Sequence, residues 1–235
     1  MTLGQRVLMD VAAVLLAATL LGLLARGRLR LGWSFAAYLS SALVCNRLYR
    51  LWPEEFYTPA FWSLKTALYA SLRALLAVEL ALLTFSALPR ARARALGLLA
   101  VILAATAALS LAPLRGHPDL DAVGVLGPRL QVAGLWMLAV TPLLAARYRV
   151  AVHPLHRSIL VGLGLYLVVY AGMLAGVGLA AEARPAYLAA YARLNAVDPL
   201  VYVASVGVWA WAAWRPPLRA ASPVMRILQP WAASR

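Results

Sequence analysis

The chain is 235 residues long and holds one cysteine, one lysine, three histidines and eight acidic residues. Each shortage removes a class of chemistry. Cys45 alone cannot form an internal disulfide or a cysteine-built metal cage; within its apolar run it reads as a small packing residue. His153 and His156 form "HPLH", and His117 falls on the opposite side of the topology derived below, so three histidines cannot meet at a buried zinc. None of the three lies inside a predicted helix, which excludes bis-histidine haem ligation within the bundle. No H-E-x-x-H, P-loop or G-x-S-x-G pattern occurs, and no metal, cofactor or catalytic residue is expected.

Charge of either sign is scarce too: 13% of residues are charged and 64% are hydrophobic. Soluble domains run near ~25% and ~45–50%. A water-soluble core cannot absorb that surplus, and strand alternation is missing, which argues against an outer-membrane barrel. What the chain has instead is long apolar runs. Seven can be read, at roughly 7–25, 32–51, 61–86, 95–114, 130–146, 158–180 and 199–214. Each is near the ~20 residues that span hydrocarbon. The expected fold is an all-α integral membrane protein whose seven-helix bundle occupies 1–214, followed by a basic tail at 215–235.

Arginine placement orients the bundle. The first, third and fifth loops and the tail carry Arg26, Arg28, Arg30, Arg90, Arg92, Arg94, Arg147, Arg149, Arg157, Arg215, Arg219, Arg226 and Arg235, with no acid among them. The alternate loops carry Glu54, Glu55, Asp119, Asp121, Glu182 and Asp198. Positive charge stays on the cytoplasmic face, so the N-terminus is expected outside and the C-terminus inside, in a cell (inner) membrane. The loops 53–60, 115–128 and 182–198 then lie outside. Arginine in place of lysine, with abundant Ala and Leu, suggests a GC-rich, bacterial coding sequence. Three arginines follow the first segment and one precedes it, the reverse of a secretory signal.

Tryptophans mark the segment ends. Trp52, Trp62 and Tyr57 cluster at the outer boundary, and Trp209, Trp211 and Trp214 close the seventh segment, as anchors and packing residues. The net charge of +14 sits close to helix ends, which points to anionic lipid of the inner leaflet and a protein partner rather than nucleic acid. The tail, with Met225, Ile227, Leu228 and Trp231 among its arginines, could lie on that leaflet.

The third segment, "FWSLKTALYASLRALLAVELALLTF", holds Lys65, Arg73 and Glu79. On a helical wheel Lys65, Tyr69, Glu79 and, at the edge, Arg73 share a sector of about 120°. Lys65 can snorkel, but the deeper pair cannot face lipid, where a charge costs at least ~2.5–3.5 kcal/mol. Arg73 and Glu79, six apart, cannot stack on each other. A polar chamber opening outward is therefore expected, lined by Asp10, Asn46, Arg47, Lys65, Tyr69, Arg73 and Glu79, with Asp10 as the acidic partner of Arg73. A salt-bridge network holding three helices together is the competing reading. In the sixth segment Gly172 and Gly176 form a G-x-x-x-G step suited to helix packing, within the chain or against a partner. Seven helices match the retinal proteins, but the seventh has no lysine for a Schiff base.

The function expected from these residues is that of a non-enzymatic, sensor- or receptor-like module acting through a partner. An accessory subunit of a larger membrane complex is the first alternative. A small transporter or proton path using Asp10, Arg73 and Glu79 is the second; it lacks the internal repeat common among transporters.

Overall fold

The computed structural model describes residues 3–111, 122–179 and 184–216, with no side-chain account for 110, 111, 122–126, 178 and 179. His117, Asp119, Asp121, Glu182 and the tail beyond Pro216 lie outside the described residues. Eight α-helices are described: α1 (Leu3–Ala25), α2 (Trp33–Leu51), the single turn α3 (Pro53–Phe56), α4 (Pro59–Thr84), α5 (Pro89–Leu111), α6 (Ala122–Tyr148), α7 (Pro154–Leu179) and α8 (Arg184–Trp214). No strand occurs among the described residues. Six helices are long and apolar enough to cross a membrane: α1, α4, α5, α6, α7 and α8. The remaining long helix, α2, has 19 residues and a more polar composition, with Ser34, Ser40, Ser41, Asn46, Arg47 and Arg50 in its sequence.

Local sequence sets the boundaries. Proline stands first in α3, α4, α5 and α7, where its missing N–H leaves no bond unmade. Thr58 caps α4 by accepting from the Phe61 amide at 3.3 Å. Helix α1 stops at Gly27, whose φ of +63° is left-handed. Helix α6 stops differently: Arg149 takes a φ of +54°, and the Val150 amide reaches back to the Ala145 carbonyl at 2.9 Å. That six-to-one bond satisfies a terminal carbonyl in the manner of a glycine cap, here without glycine.

The largest departure from the sequence-based expectation is α8. It has 31 residues, about 46 Å at 1.5 Å per residue, and absorbs most of the expected 182–198 loop. Its Pro199 lies within the helix. Likewise α6 begins by residue 122, inside the expected 115–128 loop.

Helix α1 packs on α2 and α8, α2 on α4, α4 on α6, α6 on α7, and α7 on α8, so six long helices close a ring. Helix α5 stands outside it against α6 and α4, presenting Ala91, Ala95 and Leu99 inward. Leu98, Val101 and Leu103 on its other faces are exposed. The core runs through Leu16, Leu23, Phe35, Tyr38, Leu76, Leu80, Leu163 and Trp209.

Three tryptophans lie directly on glycine backbone. Trp209 covers Gly162, Trp214 covers Gly22 and Trp62 covers Gly127, each so closely that a Cβ would crowd the indole. These contacts bring α8 onto α7, α8 onto α1 and α4 onto α6. Gly172 and Gly176, by contrast, have open space where a Cβ would stand, with nothing within 4 Å. The G-x-x-x-G step therefore packs against no described part of the chain.

Candidate functional site

The seven expected chamber residues divide among three places. Asp10, Asn46 and Arg47 form a partly exposed cluster where the start of α1 meets the end of α2. Arg47 reaches Asp10 at 3.0 Å, Arg50 reaches it at 3.4 Å, and Arg47 also donates to the Met9 carbonyl at 3.0 Å and to Asn46 Oδ1 at 2.8 Å. Asp10 is thus taken by α2 and is not the partner of Arg73.

Glu79 lies at the other end. It is buried on α4, and its carboxylate accepts from the Trp33 amide at 3.0 Å, from the Ser34 amide at 2.9 Å and from the Ser34 hydroxyl. These amides open α2. A helix start carries unpaired N–H groups and the positive end of the dipole, so a carboxylate from α4 completes it. Glu79 therefore lines no outward chamber; it is a cap supplied across helices.

Around this cap the helix ends are tied together. His156, buried near the start of α7, has Nε2 at 2.6 Å from the Leu31 carbonyl. Arg28 donates to the carbonyls of Ala212 at 2.9 Å and Arg215 at 2.7 Å, and Arg26 to that of Trp214 at 3.2 Å. Those carbonyls end α8, where cations are favoured. Arg94 donates to the Tyr148 hydroxyl at 2.5 Å, joining the start of α5 to the end of α6. The arginine-bearing connections α1–α2, α4–α5 and α6–α7 thus converge on one end. His153, outside the membrane-spanning segments, is held below the usual histidine range by burial and by Arg28 alongside.

Lys65, Tyr69 and Arg73 share the interior between these ends. Arg73 is 3% exposed. It donates from Nε to the Tyr69 carbonyl at 3.0 Å and from Nη1 to Gln131 Oε1 on α6. A neutral amide, not an acid, therefore receives this guanidinium. Lys65 Nζ sits 4.6 Å above the Tyr49 ring, about 9 Å along α4 from Pro59.

The structure adds residues that the sequence placed elsewhere. Tyr38 of α2 meets Tyr69 at 5.4 Å between ring centroids, and Tyr166 of α7 meets Tyr202 of α8 at 5.5 Å and Tyr170 at 5.7 Å. Asp198, one turn before Tyr202, lies with them. The Tyr166 hydroxyl and the Lys65 ammonium are its polar neighbours. Asp198 Oδ1 is nevertheless buried with no hydrogen-bond partner. Pro199 follows it directly and has no N–H for the Asn195 carbonyl four residues back.

The spacing Y-x-x-x-Y at 166–170 and D-x-x-x-Y at 198–202 was the available signal for this cluster. It was hidden because Asp-Pro reads as a loop boundary. Gln131, second in its segment, gave a weaker sign. Chemically the interior offers an acceptor, an ammonium and several phenol hydroxyls. Among the described residues no three of His, Cys, Asp and Glu stand together as metal ligands. Compared with protein-family models, curated proteins and solved structures, the chain matches none.

Proposed function

We propose that the chain is a non-enzymatic, sensor- or receptor-like module of the cell (inner) membrane, with seven spans, an outer N-terminus and a cytoplasmic basic end. In this reading α2 is the seventh span, tolerated despite its polar residues because Ser34 and Tyr38 face the ring and Arg47 and Arg50 lie near its end. The ligand-responsive element is the tyrosine-lined interior around Asp198 and Lys65, away from the arginine-bearing α1–α2, α4–α5 and α6–α7 connections. The ligand is a small polar molecule that donates an N–H or O–H to Asp198.

The supporting observation is the orphan Asp198 Oδ1. A buried carboxyl oxygen without a donor is costly, and such a group inside a membrane bundle leans towards function. The transport alternative gains no support from Asp10, Arg73 and Glu79, each of which is bonded to a separate partner. The accessory-subunit reading keeps one support: the outward face of α5, with Leu98, Val101 and Leu103, and the Gly172–Gly176 side of α7 are apolar and covered by no described part of the chain.

Purification in mild detergent followed by native mass spectrometry separates the two. A monomer retaining a small molecule that Asp198→Asn releases supports the receptor reading. A stoichiometric large protein partner, with no small molecule bound, overturns it in favour of the subunit.

A further inference from the structure

At the arginine-rich end, the last turns of α1 and α8 and the first turn of α7 enclose an open cleft of about 710 Å³. Arg26, Arg28, His153 and Arg215 line it. A second cavity of about 360 Å³ adjoins it, sharing Pro154, Ser158, Trp211 and Arg215. Arg157 also lines it, with Val161 and Val208, which are exposed on α7 and α8. Neither cavity has an acidic lining residue among those described.

The cations here are of two kinds. Arg26 and Arg28 are engaged with the carbonyls that end α8. Arg215 is stacked 4.4 Å over the Trp211 ring, and neither its side-chain N–H groups nor those of Arg157 bond to any other described residue. Free guanidinium donors beside a helix start make an environment for a phosphate oxygen. The apolar continuation beyond them is suited to hydrocarbon, with Trp211 at the junction where an indole favours the headgroup level.

We propose that these joined cavities bind one anionic phospholipid, its phosphate between Arg157 and Arg215 and an acyl chain along Val161 and Val208. This rests on the basic end lying at a headgroup layer, as in the function proposed above. Charge decides between this occupant and the residues that follow Pro216. Those residues contain Arg219, Arg226 and Arg235 and no acid, so they would meet like charge in the cleft. Free phosphate would satisfy the arginines but leave the valine groove empty.

The test uses the full chain in mild detergent, with native mass spectrometry and thermal unfolding read against added short-chain phosphatidylglycerol, phosphatidylcholine or inorganic phosphate. The expected result is one retained phosphatidylglycerol and a raised Tm with that lipid alone. Arg157→Gln with Arg215→Gln should weaken retention at least about tenfold, since each arginine near a headgroup contributes on the order of 1 kcal/mol. Those two side chains hold no helix end, so the fold should persist. Arg90→Gln with Arg92→Gln, equally basic but away from the cleft, should leave retention unchanged. Equal response to phosphatidylcholine or to inorganic phosphate overturns the proposal, as does equal loss in the Arg90/Arg92 control. Asp198→Asn should not alter lipid retention, so failure here and failure of the receptor reading are separately visible.

Discussion

Glu79 and Asp198 are both acids within apolar helices, and their surroundings differ in one respect. Glu79 receives three donors from the start of α2, while one oxygen of Asp198 receives none. At the end of the bundle around Glu79 three helix termini are answered: α2 by a carboxylate, α8 by Arg26 and Arg28, α6 by its own left-handed turn. The interior around Asp198 combines an orphan oxygen with a proline-interrupted helix. Burial of charge alone therefore does not mark a site. A satisfied buried acid is part of the scaffold, and an unsatisfied one is where an unlinked donor would gain most.

The sharpest way to break this contrast is to remove each acid and follow thermal unfolding in detergent. Glu79→Ala should lose about 3 kcal/mol, because hydrogen bonds to a charged group are worth ~1.5–3 kcal/mol each and two backbone donors are stranded. Asp198→Asn should change stability by no more than about 1 kcal/mol, and a gain is the informative outcome, since an amide sheds the desolvation cost of the carboxylate. Equal losses at the two positions would collapse the distinction.

A second measurement sharpens the middle of the bundle. Arg73→Leu combined with Gln131→Leu in a double-mutant cycle should give a coupling of about 1–2 kcal/mol. Arg73→Leu with Asp10→Asn should be additive. Coupling to Asp10 instead would return that acid to the interior and reunite the expected chamber.

The smallest effect belongs to the cluster around Asp10. Asp10 has 46% of its side chain exposed, and its partners Arg47 and Arg50 have 35% and 33%. Asp10→Asn should cost about 0–1 kcal/mol, a loss that shrinks as salt rises. A loss as large as that of Glu79→Ala would show that exposure is a poor guide here.

Much of the fold was legible. Apolar runs gave the helices, and arginine placement anticipated that the α1–α2, α4–α5 and α6–α7 connections would share an end. Two things were not. Helix α8 was read too short because Asp198-Pro199 punctuates a sequence, whereas the Ala-rich stretch before it carries the helix through. The partners of buried groups were hidden because a wheel gives the direction of a side chain, not the end of the neighbouring helix it meets. Lys65, Tyr69 and Arg73 do share the interior side of α4, as their spacing implied. Glu79 shared their sector but lay nearly at the opposite end, where the α2 amides were its nearest unmet donors.

Arg28 has a consequence for the order of assembly. Its acceptors on α8 and just beyond lie 184–187 residues later in the chain. While the chain is being synthesised, α1 and α2 can pair as neighbours, but the carbonyls that Arg28 will bind do not yet exist. Closing the ring must therefore wait for the last helix, and the seam between α1 and α8 is the contact of greatest loop-closure entropy. Until then the flank of α1 that carries Gly22 stays uncovered, and Trp214 seated on it is a sign that the ring has shut.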